Sequence, residues 1–94
     1  MKILKWDYEP GGMCPVQAEG TFLGYYFYFR SRWDKASIEF SKSITDWEEN
    51  RLVRRYVLKT FPMFEAGYVD PKIAKRLIYK GLFLFAIRWP SIGI

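Results

Sequence analysis

The feature that most constrains this chain is the segment from Tyr25 to Arg32, in which every residue except Ser31 is aromatic or basic. Consecutive Tyr and Phe residues favour strands, because their rings pack well on a pleated surface and lose side-chain freedom in a helix. A two-residue period divides the run into two faces: Tyr25, Phe27, Phe29 and Ser31 on one, and Tyr26, Tyr28, Arg30 and Arg32 on the other. The run predicts a β-strand whose first face lies toward the core.

Shorter runs with the same period flank this strand. Alternation of apolar and polar residues predicts strands from Leu4 to Tyr8, from Val16 to Phe22 and from Ala36 to Phe40. Leu23-Gly24 is expected to turn the chain before the aromatic strand, and Trp33-Asp34-Lys35 is expected to turn it afterwards. Strands joined by such short connections predict an antiparallel meander.

The period changes after Ser43. Thr45 with Glu48, and Asp46 with Glu49, have the spacing of a capping box, and a helix is predicted from about Asp46 to Thr60. On that helix one arc carries only positive charge, from Arg51, Arg54, Arg55 and Lys59. A strand over Tyr56 to Phe61 is the alternative that the composition leaves open.

A second helix is predicted to begin at Asp70-Pro71, an N-cap followed by proline at the first helical position, and to end at Trp89-Pro90. Beyond Gly81 the chain is apolar on every side. This end is therefore expected to be buried in the domain, paired with another subunit or converted into a strand. The alternative function that this predicts is a small structural protein that self-associates through its apolar C-terminal segment. The predicted homodimer interface residues are then Leu82, Phe83, Phe85 and Trp89.

Length and composition favour one domain over residues 1–94. Half of the residues are hydrophobic and 20% are aromatic, which is enough for a buried core without metals or disulfides. The predicted fold class is α+β: an antiparallel β-meander of three to four strands, followed by two helices packed on one face.

The net charge of +5 is unevenly distributed. Residues 1–50 carry six Lys/Arg against eight Asp/Glu, giving −2, whereas residues 51–94 carry nine against two, giving +7. Such asymmetry fits an acidic partner, whether a nucleic acid, an acidic protein surface or an anionic membrane, and does not choose among them. Of these we expect a nucleic acid or an acidic protein.

Other sequence features limit the compartment. The longest apolar stretch, Gly81 to Ile87, is far shorter than the roughly 20 residues of a membrane span, so we expect no membrane partner. The N-terminus turns acidic and Pro/Gly-rich before a signal peptide could develop. A single cysteine, Cys14, excludes an intramolecular disulfide and fits a reducing cytoplasm.

Two predicted surfaces could bind such a partner. The first is the basic helix face of Arg51, Arg54, Arg55 and Lys59, for which the alternative is a solvated face with local ion pairs. The second is the outer strand face of Tyr26, Tyr28, Arg30 and Arg32, which resembles the base-stacking and phosphate-holding surfaces of single-strand binders. Its alternative is a helix packed over the tyrosines, which would make them core.

Catalysis is not indicated. The chain has no histidine, and Cys14 therefore lacks the usual general base of a nucleophilic thiol. Helix capping accounts for Glu48 and Glu49, and cross-strand ion pairing accounts for Glu19 and Glu39. We expect a non-enzymatic protein without cofactor or metal; an enzyme would need a concave pocket holding two acidic residues.

The segment Cys14-Pro15-Val16-Gln17-Ala18-Glu19-Gly20-Thr21, followed by Phe27 to Trp33, resembles a signature of short uncharacterised proteins from bacteria and their phages. Ala66-Gly67-Tyr68 is similar as well. The resemblance implies a small self-standing bacterial or phage protein, such as an accessory factor or inhibitor. It implies no activity and no site residues.

Overall fold

A computed structural model describes residues 3–11, 16–32, 34–61 and 70–92, the last four through their backbone alone. These residues form a five-stranded antiparallel sheet in the order β1-β2-β3-β4-β5, with two helices. The strands are β1 (Leu4–Gly11), β2 (Val16–Phe22), β3 (Tyr25–Arg32), β4 (Lys35–Ser41) and β5 (Arg54–Thr60), and the helices are α1 (Ile44–Glu48) and α2 (Pro71–Ile92).

The predicted turn at Leu23-Gly24 is present between β2 and β3. Both residues have positive φ, 52° and 83°, and Phe22 faces Tyr25 directly across the turn. A two-residue turn with left-handed backbone matches the twist of the strands that it joins. It therefore fixes the register by which the aromatic strand β3 meets β2.

The core lies on one face of the sheet, under α2. Phe27, Phe29, Ile38 and Phe40 of the sheet are fully buried against a helix stripe of Ala74, Ile78, Leu82 and Phe85. Phe85 stacks on Phe40, with ring centroids 4.0 Å apart and an angle of 11° between the planes. The first-named face of β3 is thus the core face, as its alternation predicts.

The prediction of one helix from Asp46 to Thr60 is wrong. Only α1 is helical there; it is capped by the Ser43 hydroxyl, which accepts from the Asp46 amide at 3.1 Å. Asn50 then adopts a positive φ of 62°, and the amides of Asn50 and Arg51 donate back to Trp47 and Asp46. These two bonds form a Schellman motif, which ends the helix and redirects the chain.

After this turn the chain returns to the sheet as β5, antiparallel to β4, with Glu39 facing Arg55 and Ile38 facing Tyr56. Pairing with β4 gives the β-favouring side chains of Tyr56 and Val57 a partner that a helix would not offer. The fold is therefore α+β as predicted, but with five strands and one main helix.

Helix α2 begins where the sequence predicts. The Asp70 carboxylate accepts from the Lys72 amide at 2.7 Å, and Pro71 occupies the first helical position. The helix continues to Ile92 and does not end at Trp89-Pro90. Trp33, the first residue of a predicted connection, lies outside the described residues. Cys14 and the segment 62–69 lie outside them as well.

Replacing Phe85 with alanine should destabilise the protein by about 3–5 kcal/mol, because the side chain is fully buried and stacked on Phe40. Phe83, two residues away on the same helix, is 64% exposed and provides the matched control. We expect Phe83→Ala to change stability by no more than about 0.5 kcal/mol. Equal losses in urea denaturation would contradict the placement of α2.

Gly81→Ala should destabilise the protein even though alanine is the better helix former by about 1 kcal/mol. An added Cβ would lie 2.7 Å from Cγ2 of Ile38 and 3.3 Å from Cδ2 of Leu58, and Ile38 is fully buried. Overpacking of this kind costs about 1–3 kcal/mol. A rise in the midpoint of thermal unfolding would show that α2 does not approach β4 this closely.

Candidate functional site

The face of the sheet opposite α2 is partly covered by α1, through a single side chain. The Trp47 ring lies against Tyr26 and Tyr28, with centroids 5.7 and 4.6 Å away, and its Nε1 donates to Glu39 at 2.9 Å. We call this side of the sheet the outer face. One half of it is thus closed by aromatic packing.

The two tyrosines predicted to form a stacking platform lie in this closed half. Tyr26 is only 5% exposed, and its hydroxyl donates to Glu19 at 3.3 Å. Tyr28 is half-buried and donates to Gln17 at 2.7 Å. Burial raises the pKa of both phenols, and the positive charge of Arg30 opposes the rise at Tyr28. Their rings contact Trp47, which occupies the place of a stacked base.

The four cations predicted to share a helix face are dispersed instead. Arg51 pairs with Asp46 at 3.0 Å and also with Glu49, at the end of α1. Arg55 lies on β5 and pairs with Glu39 at 3.4 Å. The negative groups of the first half of the chain thus engage two of the four.

The other two cations, Arg54 and Lys59, also lie on β5. Arg54 is half-buried, and its Nε has no hydrogen-bond partner among the described residues. Lys59 is exposed and lies 4.9 Å from the centre of the Phe61 ring. No single surface contains all four cations, because the helix that would have aligned them is absent.

The structure instead brings together cations from both predicted sets. Arg30 and Arg32 of β3 and Arg55 of β5 line one concavity of about 250 Å³ in the open half of the outer face; the other lining residues are Asp34, Lys35 and Ser37. We call this the basic concavity. Ser37 faces Arg30 across the β3–β4 pair, and Lys35 faces Arg32.

The basic concavity carries more positive than negative charge. Four cations line it against the single carboxylate of Asp34. Arg30 is exposed, and neither it nor Lys35 forms an ion pair with any residue that the structure describes. Guanidinium, ammonium and hydroxyl groups converging in this way suit an oxyanion such as a phosphate.

Lys35 and Ser37 were not predicted as site residues. They belong to the concavity because β4 lies between β3 and β5 in the sheet. The alternation of Ser37 with the buried residues Ala36 and Ile38 places it on the outer face. This alternation could be read from the sequence. Which residues lie beside Ser37 could not, because that depends on the register between strands.

A second concavity on β1 and β2 has two carboxylates in its lining, Asp7 and Glu19, together with Tyr8 and Gln17. Asp7 lies 4.0 Å from Lys5, and Glu19 accepts from Tyr26. Each carboxylate already has a partner of its own within the fold. The two carboxylates therefore give no indication of a catalytic pair.

The residues predicted to form a homodimer interface lie on different sides of α2. Leu82 and Phe85 are buried in the domain and contribute to its core, so neither is accessible to a second subunit. Phe83 is exposed, and the side chain of Trp89 lies outside the described part of the chain. The surface that α2 does present is different from the predicted one.

Comparison with known proteins does not assign this chain to a family. No family model, curated protein or solved structure matches this chain. Within the residues that the structure describes, no group of His, Cys, Asp and Glu could hold a metal ion. In the same part of the chain no helix is long and apolar enough to cross a bilayer.

Stability should fall at alkaline pH through Tyr26. Its pKa in the folded protein lies above the ordinary 10.0, so the unfolded chain loses this proton first as the pH rises above about 10. The contribution of the neutral phenol is full below pH 10 and is lost above it. Tyr26→Phe should therefore flatten the decline in the free energy of unfolding above about pH 10, where the unfolded tyrosine begins to ionise.

Tyr8→Phe is the matched control, because Tyr8 is 52% exposed and its loss removes the same hydroxyl from a less enclosed position. The measurement is urea denaturation at each pH. An identical slope in Tyr26→Phe and the unchanged protein would show that this phenol is not enclosed by Trp47.

Proposed function

We propose that this is a non-enzymatic binding protein that engages an acidic partner through the basic concavity. The observation that carries the proposal is the pair Arg30 and Lys35, two cations lining one concavity without an ion pair to any described residue. The helix face predicted for this role does not exist. Its place is taken by the open half of the outer face.

A solvated charged face is the competing explanation. Lys and Arg often protect an edge strand from pairing with another chain, and this accounts for the cations of β5. It does not account for Arg30, because β3 is the central strand of the sheet and both of its edges are paired. Nor does it account for Lys35, because β4 is also paired on both sides, with β3 and β5.

The partner that fits best is the phosphate backbone of a nucleic acid. Protein interfaces usually have an apolar centre, whereas the residues lining the basic concavity are all charged or polar. Base stacking is not part of the proposal, since Trp47 covers Tyr26 and Tyr28. Binding should accordingly depend on phosphate contacts, which carry little sequence information.

An acidic protein surface is the other partner that this hypothesis allows, and experiment can distinguish it from a nucleic acid. A role as an accessory factor or inhibitor in bacteria or phage is a prediction from the resemblance of the β2–β3 hairpin. It is compatible with either partner. The bound group in both cases is an oxyanion.

The test is fluorescence anisotropy with labelled double- and single-stranded oligonucleotides over a series of salt concentrations. Affinity should fall linearly with salt on logarithmic axes, and the double variant Arg30→Ala/Lys35→Ala should reduce the slope by about one per removed contact. Affinity should fall similarly for every sequence tested. Polyglutamate of equal length serves as the acidic-protein probe.

The matched control is the double variant Arg51→Ala/Lys42→Ala. It removes the same charge from exposed positions outside the basic concavity, and Arg51 is already paired with Asp46. Equal effects of the two double variants would mean that only net charge matters and would refute the site. Tighter binding of polyglutamate than of the oligonucleotides would favour an acidic protein.

A further inference from the structure

Helix α2 has one buried side and one exposed side, and the exposed side faces away from the sheet. Its buried stripe of Ala74, Ile78, Leu82 and Phe85 contacts the core, whereas three large apolar residues one turn apart are exposed. The first of them, Tyr79, lies at the margin of this side, with its ring centroid 6.4 Å from that of Trp6 on β1. Tyr79 is 48% exposed, Phe83 is 64% exposed and Ile87 is 59% exposed. Residues spaced by four lie on one side of a helix, so the three form a continuous apolar stripe.

The same side carries positive charge without negative charge. Helix α2 contains five Lys and Arg residues and no Asp or Glu over its 22 positions. Lys72 and Arg76 are exposed, and their spacing of four places them beside the apolar stripe, toward its N-terminal end. Lys80 continues this spacing, but its Nζ donates to the backbone carbonyl of Leu58 on β5 at 3.5 Å. Lys75 instead pairs with Glu9 of β1 at 3.0 Å.

This combination discriminates among the partners that could cover it. A second copy of the chain would bring two such helices together, and neither could supply a carboxylate to the cations that the contact buries. A nucleic acid would satisfy the cations but would leave Phe83 and Ile87 without an apolar partner. An anionic lipid surface offers phosphate and carboxylate headgroups for the cations and acyl chains for the stripe.

We propose that the outward side of α2 is a docking surface for an anionic lipid membrane, on which the helix lies in the plane of the interface. Tyr79, Phe83 and Ile87 enter the boundary between headgroups and acyl chains, and Lys72 and Arg76 contact the headgroups. The expectation that no membrane is a partner was based on the lack of a spanning segment. A helix that lies on the surface needs none.

The inference does not rest on the proposed function. The basic concavity is on the outer face of the sheet, whereas α2 covers the opposite face. The two surfaces share no residue. They can therefore be tested with separate variants of the same protein.

The experiment is co-sedimentation of the full chain with vesicles of phosphatidylcholine alone, or of phosphatidylcholine with phosphatidylserine. We expect binding to the anionic vesicles that weakens with added salt, and little binding to the neutral ones. Phe83→Ser and Ile87→Ser should each lower the affinity by roughly tenfold or more, since each removes a side chain of the size whose burial is worth about 1.5 kcal/mol or more.

Ile44→Ser is the matched control, because Ile44 is 49% exposed and lies on α1. It should bind vesicles as the unchanged protein does. Arg30→Ala/Lys35→Ala should also retain binding, which separates this surface from the basic concavity. Circular dichroism of each variant confirms that exposed positions have been changed without loss of the fold.

Three outcomes would overturn the proposal. One is equal binding to neutral and anionic vesicles, which would remove the role of the cations. Another is an equal loss of binding in Ile44→Ser and Ile87→Ser. The third is a dimer in lipid-free sedimentation velocity that Phe83→Ser and Ile87→Ser dissociate, which would assign the stripe to a second copy of the chain.

Discussion

The stacking of Phe85 on Phe40 decides which face of the sheet is closed, and the remaining surfaces follow from it. Because α2 is the only long helix among the described residues, it can cover only one face of the five strands. On the other face, within the described part of the chain, Trp47 packs over Tyr26 and Tyr28. The aromatic half of this face lies under that ring, and its basic half is left open to solvent.

Glu39 sets the boundary between the two halves. One carboxylate oxygen accepts from Trp47 and holds it over Tyr28, while the other pairs with Arg55 at the margin of the basic concavity. The same side chain therefore helps close the aromatic half and offsets part of the charge of the open half. The cations beyond its reach, Arg30 and Lys35, are the ones left for an external anion.

Local rules predicted much of this fold, and non-local pairing accounts for the rest. The alternation of β3, the turn at Leu23-Gly24 and the helix start at Asp70-Pro71 are each specified by a few neighbouring residues. The failure after Asp46 has a local cause too, since Asn50 is a residue that tolerates the left-handed backbone of a helix end. That the following segment joins β4 could not be derived from its own pattern, because arginines on both faces argued against a strand.

The candidate site likewise combines residues that local patterns predict with an arrangement that depends on strand pairing. Arg30 and Arg32 were identified from the alternation of one strand, but their meeting with Arg55 depends on the order β3-β4-β5, which periodicity does not encode. The resulting geometry places positive charge on two opposite sides of one sheet, with the apolar core between them. An anion bound at one side would not neutralise the other, so the two proposed surfaces would bind their partners independently. Both proposals together describe a protein that holds an acidic partner on the outer face while α2 rests on an anionic surface.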